Sequence, residues 1–362
     1  MKLDREAEAL LHWLSSSTAP PLWELPPAAA REEYRRALAK TEIAPPAIGE
    51  ASDFTLPGDS CACCGPLRLR KYMPAAANGG RKQRSFFLHG GGCLGDLESH
   101  NTMCRTLCHD TGTTVFALDY RLAPEHPFPG AIEDTVAAPT WLSRNATSLG
   151  LDSERIAIAG DSAGAGLAAV ALQETGGQLP VPVRAQALLY PALDLRGRLP
   201  SRTEHADQFP LPREMVAYFY ERYFGSAWPF ADPRAMPLLY DNYAGLPPAL
   251  VITAGHDPLR DEAVEFPTVL EILIHNYVVA PCRLDFAGVD RSASQRLNNA
   301  VIVLSLSGDT HRFLAAPILG SAIATDYLDR VAASILLVEH EQADDASTVS
   351  AIFDRLDKAG TD

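Results

Sequence analysis

Ser162 stands in Gly160-Asp161-Ser162-Ala163-Gly164, which fits the pattern G-x-S-x-G. The apolar run Arg155-Ile-Ala-Ile-Ala159 ends at its first glycine, and the small-residue run AGLAAVALQE follows it. That context predicts a strand, a sharp turn and a helix, with the turn lifting the serine hydroxyl out of the sheet. Glycines on both sides avoid the clashes that a Cβ would create in so tight a bend. The N-terminus of the following helix favours negative charge developing nearby. The chemistry such a serine can do is nucleophilic attack on a carbonyl.

A nucleophile of this kind needs three supports. The first is a set of donors for the oxyanion. His89-Gly90-Gly91-Gly92 follows the run Phe86-Phe87-Leu88, and backbone N–H groups of Gly90 and Gly91, with that of Ala163, are expected to face the carbonyl oxygen. The second is an acid. Asp257 follows the run Ala249–Thr253 in AGHDPLRDE, so it is expected at the C-terminal edge of the sheet, beside the serine turn. Its competing reading is a turn or capping aspartate before Pro258, and Asp261 and Glu262 are nearby substitutes. The third is a base. His311 in SGDTHRF follows the run Ala300–Leu306 and completes the order Ser, Asp, His. His275 is its rival, but it follows Asp257 too closely for a crossover helix and a returning strand. His256 adjoins the acid and reads as structural.

The elements that must position these residues are legible as rhythm. Short apolar runs at 86–88, 114–118, 155–159, 185–190, 249–253 and 300–306 alternate with helical segments. Such runs suit strands buried on both faces, and their alternation with helices predicts an α/β chain with a mostly parallel sheet. Residues 1–50 look helical and separate: Asp4 to Leu14 has helical spacing, and Pro26-Pro27 opens AAAREEYRRALAK. The expected division is an N-terminal part of a helical cap at 1–50, a first core part at 51–199, and an inserted cap segment at 200–230. A second core part at 231–340 and a tail or helix at 341–362 complete it. Trp13, Trp23, Phe209, Tyr218 and Phe219 are cap aromatics that could line an acyl pocket or simply pack together, with Phe209 and Phe219 the candidates for substrate contact.

Composition narrows the class. With 362 residues and 47% hydrophobic content, the chain can bury a large core. A formal net charge of −14 argues against nucleic-acid partners. No run is apolar enough for a transmembrane helix, and MKLDREAEALLHWL lacks the features of an export signal. Seven cysteines, an odd number, then read as reduced thiols in a cytoplasmic protein. The cluster Cys61-Ala62-Cys63-Cys64 has no matching Cys or His pair at zinc-like spacing, so no metal is expected. Cys104 and Cys108 are expected within a helix.

The set HGGG at 89–92, DYRLAPEHPFP at 119–129, GDSAG at 160–164, DPLRDE at 257–262 and THRF at 310–313 resembles the bacterial hormone-sensitive lipase family of esterases, family IV. The resemblance spans most of residues 50–330. It implies an α/β-hydrolase core with a helical cap, and hydrolysis of short- to medium-chain acyl esters without a cofactor. It also implies the triad Ser162, Asp257 and His311 with Gly90, Gly91 and Ala163 as oxyanion donors, and it leaves room for a homodimer. The chain departs from the family pattern in three places. Only Cys93 and Leu94 separate the glycines from Gly95-Asp96, Arg312 follows the histidine, and residues 264–299 lengthen the interval from Asp257 to His311. A non-catalytic receptor, or an amidase or acyltransferase using the same residues, is the alternative function on this fold.

Overall fold

The computed structural model describes residues 19–39, 44–57, 65–75, 84–149, 151, 156–179, 183–207, 211–226, 228–247, 249–254, 256–271, 277–281 and 301–306. Six strands fall on the expected apolar runs: β3 (Arg84–Leu88), β4 (Thr114–Asp119), β5 (Ile156–Asp161), β6 (Val183–Leu189), β7 (Ala249–Ala254) and β9 (Val301–Leu306). Three more were not anticipated: β1 (Glu50–Leu56), β2 (Leu67–Met73) and β8 (Tyr277–Pro281). Together they make a sheet of order β1-β2-β4-β3-β5-β6-β7-β9-β8. Only the β1–β2 and β2–β4 pairs are antiparallel.

The two antiparallel strands escape an apolar-run search because they are half exposed. In LRLRKYM, Leu67, Leu69 and Tyr72 of β2 are buried while Arg68, Arg70, Lys71 and Met73 are open or partly open. Asp53 stands opposite Arg70 in the register, and Arg70 Nε donates to its carboxylate at 2.5 Å. Arg68 Nε donates to Asp119 across the next pair at 2.8 Å. Charge complementarity between facing strands therefore joins apolar burial in holding this edge.

Seven helices complete the described core and its cover: α1 (Pro27–Ala39), α2 (Asn101–Thr111), α3 (Gly130–Arg144), α4 (Ala163–Thr175), α5 (Ser201–Glu204), α6 (Arg213–Phe224) and α7 (Arg260–Glu271). Side chains alternate across the sheet, so neighbouring residues of one strand feed two cores. Phe86 and Leu88 pack with α3 and α4 on one face. Phe87 packs on the other with Met103, Cys104, Leu107 and Cys108 of α2. Cys104 and Cys108 are one helical turn apart in this second core, and burial raises both thiols, Cys108 to about 12. They are packing residues.

A third apolar cluster joins α1 to α6. Ala30, Met215 and Tyr218 are buried in it with Cys93 and Leu94, and Trp23, Tyr34 and Phe219 pack against them. The two segments expected to form a cap therefore meet over the glycine loop that follows β3. No helix among the described residues is long and apolar enough to cross a membrane.

Candidate active site

Ser162 lies between β5 and α4 with φ 53° and ψ −119°. A left-handed φ on a non-glycine residue costs on the order of 1–3 kcal/mol and persists only where its surroundings impose it. Here the Ser162 N–H donates to Leu189 O at 2.8 Å, and its carbonyl accepts from Gly166 N at 3.1 Å and Ala192 N at 3.2 Å. The flanking glycines are required sterically. A Cβ on Gly160 would lie 2.6 Å from Gly164 C, and one on Gly164 would lie 2.1 Å from Leu88 O.

The glycine loop differs from expectation at one residue. The Gly90 N–H donates to Asp161 Oδ1 at 2.7 Å, so it points into the core and is committed there. It is therefore removed from the expected oxyanion set. The N–H groups of Gly91, Gly92 and Ala163 carry no hydrogen bond among the described residues. Gly91 has φ +78° and Gly92 φ +56°, and the turn closes with Leu94 N donating to Gly91 O at 2.9 Å. Successive amide N–H groups in a turn can form an anion-binding concavity.

Ser162, Ala163 and Gly92 open onto one cavity of about 140 Å³. Its far wall includes Leu167 and Val170, one and two turns along α4. Phe219 lines it from α6, and its ring lies 2.7 Å from where a Cβ on Gly92 would stand. Trp23 and Tyr218 pack in the cluster between α1 and α6. Phe209 and Trp13 lie outside the described residues.

Asp257 is fully buried just beyond β7. Its Oδ1 accepts from Leu259 N–H at 2.9 Å, which is the capping role. Its Oδ2 has no hydrogen-bond partner among the described residues. Burial pushes the carboxyl up to about 7. Such an oxygen is an acceptor short of a donor, since buried polar atoms are nearly always paired.

The two substitute carboxylates are committed elsewhere. Glu262 accepts from Leu193 N–H at 2.7 Å, Asp194 N–H at 2.9 Å and Arg202 Nε at 2.6 Å. Asp261 accepts from Ser201 N–H at 2.8 Å and Arg260 Nε at 2.7 Å. His256 is buried with its ring edge-on to His205. His311 and its rival His275 lie outside the described residues. The strand leading to His311, β9, pairs in parallel with β7 up to Ala254↔Leu306, so the chain leaves β9 at the edge where Asp257 stands.

Sequence reasoning missed a buried network beneath the glycine loop. His100 Nε2 lies 3.3 Å from Asp161 and its Nδ1 lies 2.9 Å from Ser99 Oγ. Tyr120 donates its hydroxyl to His89 O at 2.7 Å, and its ring stacks on His89 at 4.2 Å. Burial, then the neighbouring His100, pushes His89 down to about 4, so it is neutral at pH 7. Nothing in the spacing of Leu97-Glu-Ser-His100 points to Asp161, since the contact arises only when β3 and β5 pair.

Known proteins share this fold. Residues 85–274 match a family described as alpha/beta hydrolase fold. The chain is 38% identical over 251 residues to the carboxylic ester hydrolase LipN of Mycobacterium tuberculosis. That match covers 67% of this chain and 64% of LipN, just under two thirds of the relative's length. It is 36% identical over 255 residues to the esterase LipI of the same organism, covering 66% of this chain and 78% of LipI. Among solved structures, the hyperthermophilic esterase from the archaeon Pyrobaculum calidifontis superimposes with a TM-score of 0.75 at 32% identity. That superposition covers 94% of this chain and 99% of the other.

Proposed function

The chain belongs to the hormone-sensitive-lipase-like family of alpha/beta hydrolases, and from that premise we propose that it is a serine carboxylesterase acting on short- to medium-chain acyl esters. The observation that carries the reading is the Ser162 turn, strained at φ 53° on a cavity that is also lined by Gly92 and Ala163, whose amide N–H groups carry no hydrogen bond among the described residues. In this reading Ser162 Oγ attacks the ester carbonyl while His311 takes its proton. Gly91, Gly92 and Ala163 donate to the oxyanion of the tetrahedral intermediate. The C–O bond to the alcohol breaks, His311 returns the proton to the leaving oxygen, and an acyl-Ser162 ester remains. Water, deprotonated by the same imidazole, releases the acid and restores the serine.

Asp257 is the group that orients His311. Its buried Oδ2, without a hydrogen-bond partner among the described residues, supports the assignment, because an imidazole N–H would satisfy it. The capping bond to Oδ1 is compatible with this, since the two oxygens act separately. The names of LipN and LipI support carboxylic ester bonds as the substrate class.

Labelling with a fluorophosphonate probe and mapping the modified residue tests the reading. Ser162 is the expected adduct, and Ser162→Ala is expected to cut p-nitrophenyl butyrate turnover by several orders of magnitude. An adduct elsewhere, or retained turnover in the variant, would remove the assignment. Tight binding of esters without turnover by the wild-type chain would favour a receptor instead.

A further inference from the structure

The N-terminal helix reaches the glycine loop through one of its faces. Arg31, Tyr34 and Arg35 occupy positions i, i+3 and i+4 of α1, which share a side. Arg31 Nε donates to Cys93 O at 2.9 Å, and its Nη2 donates to Ala123 O at 2.7 Å. Glu125 receives the same guanidinium at 2.7 Å. Tyr34 Oη lies 3.0 Å from where a Cβ on Gly91 would stand, and Arg35 Nε pairs with Asp96 at 2.9 Å. The loop 90–96 is thus pinned from below by Asp161, through Gly90, and from above by α1.

We propose that Arg31 is a positioning residue for ester hydrolysis, its guanidinium locking the Cys93 and Ala123 carbonyls so that Gly91 and Gly92 present their N–H groups at a fixed point. The proposal rests on the esterase reading of Ser162. Cys93 O belongs to the residue directly after Gly92, so its orientation sets the plane through which the turn closes. A guanidinium fork can hold two carbonyls at once in a fixed plane, whereas an ammonium is a single mobile point charge. Arg31 is well placed for the task because its side chain is only 18% exposed, while its partner Glu125 is half exposed and keeps the charge balanced. Donors aimed at the oxyanion act only when charge develops, so loss of aim should appear in kcat and leave ground-state binding alone. A misplacement of about 1 Å can cost on the order of 100-fold.

The test compares Arg31→Ala, Arg31→Lys and Arg36→Ala in the full-length chain, with p-nitrophenyl butyrate as substrate. Arg36 sits on the same helix, but it pairs with Glu32 and Glu33 at the surface and serves as the control. Arg31→Ala and Arg31→Lys are each expected to lower kcat by about 10- to 100-fold with KM within about three-fold. Arg36→Ala is expected to match the wild type. Arg31→Lys keeps the charge beside Glu125, so it remains informative should the alanine variant fail to fold. Low millimolar guanidinium should restore part of the lost kcat of Arg31→Ala, and sodium at equal ionic strength should not. An Arg31→Lys variant with wild-type kcat, or a loss confined to KM, overturns the proposal. Absence of turnover in the wild-type chain would instead overturn the esterase reading.

Discussion

Gly90 and Asp161 are joined through a 2.7 Å hydrogen bond from the glycine N–H to Oδ1, and they touch so closely that a Cβ on Gly90 would lie 2.2 Å from Oδ2. The bond ties the loop after β3 to the residue directly before Ser162. One contact therefore links the nucleophile's turn to the donors proposed for the oxyanion, and it explains why the first glycine of the run is committed to support.

Asp161→Ala tests that link. It takes from the buried Gly90 N–H its 2.7 Å carboxylate acceptor and leaves the longer 3.3 Å contact to His100 Nε2, a loss that costs about 1–3 kcal/mol. It also strips His100 of its carboxylate. The expected outcome is an unfolding free energy lower by that amount and a fall in ester turnover larger than the stability loss explains. Asp161→Asn keeps an acceptor oxygen and should lie between the two. A folded Asp161→Ala with wild-type turnover would show that the bond does not set the loop.

Asp257 yields a pH prediction whose sign can be worked out. Its carboxyl is pushed up to about 7 by burial, from an ordinary 3.8. Between those values the folded chain holds a proton that the unfolded chain has released. Stability from this group therefore falls as pH rises through the window and is flat above about 7. Asp257→Asn has no such proton, so its stability relative to wild type should climb from pH 4 to 7, by on the order of a few kcal/mol. Its turnover should collapse, because an amide cannot hold the imidazolium. Parallel unfolding curves for the two proteins from pH 4 to 8 would mean that a donor to Oδ2, such as the proposed His311 imidazole, outweighs burial and keeps the carboxylate ionised.

Much of this was legible in residue order, and what was not has physical reasons. The strands buried on both faces announce themselves as apolar runs, and the Ser162 turn announces itself through glycines that tolerate no Cβ. Strands β1 and β2 stayed hidden because their stability comes partly from ion pairs such as Asp53–Arg70 across an exposed edge. The commitment of Gly90 was invisible because its acceptor, Asp161, is 71 residues away in sequence. Asp261 and Glu262 looked interchangeable with Asp257 in sequence. Only packing gives the first two their donors and leaves one oxygen of the third without one among the described residues.

Glu262 and Arg202 form a buried ion pair at 2.6 Å, with side-chain exposures of 1% and 7%. Arg202 extends it to Tyr220 Oη on α6 at 2.5 Å and to Asp194 O at 3.2 Å. Removing one partner strands a buried charge, so Arg202→Ala should destabilise the fold by about 3–5 kcal/mol. The double variant Arg202→Met/Glu262→Gln should lose less than the sum of its singles, because neither charge is then left alone. Additive losses in the chemical-unfolding cycle would mean that the pair is not coupled.

Phe219 is the described aromatic with a direct claim on substrate, since it borders both the cavity and Gly92. Phe219→Ala removes a ring that limits the space beside the oxyanion donors. Each methylene of a longer acyl chain that finds cover there is worth about 0.8 kcal/mol, or roughly four-fold in kcat/KM. The variant should therefore shift its preference towards longer p-nitrophenyl esters by at least one or two carbons. It should also lose stability, because the same ring packs in the cluster that joins α1 to α6. Stability and selectivity are separable by measuring the ratio of kcat/KM values across the chain-length series, in which the folded fraction cancels. A series with an unchanged profile would assign Phe219 to packing alone.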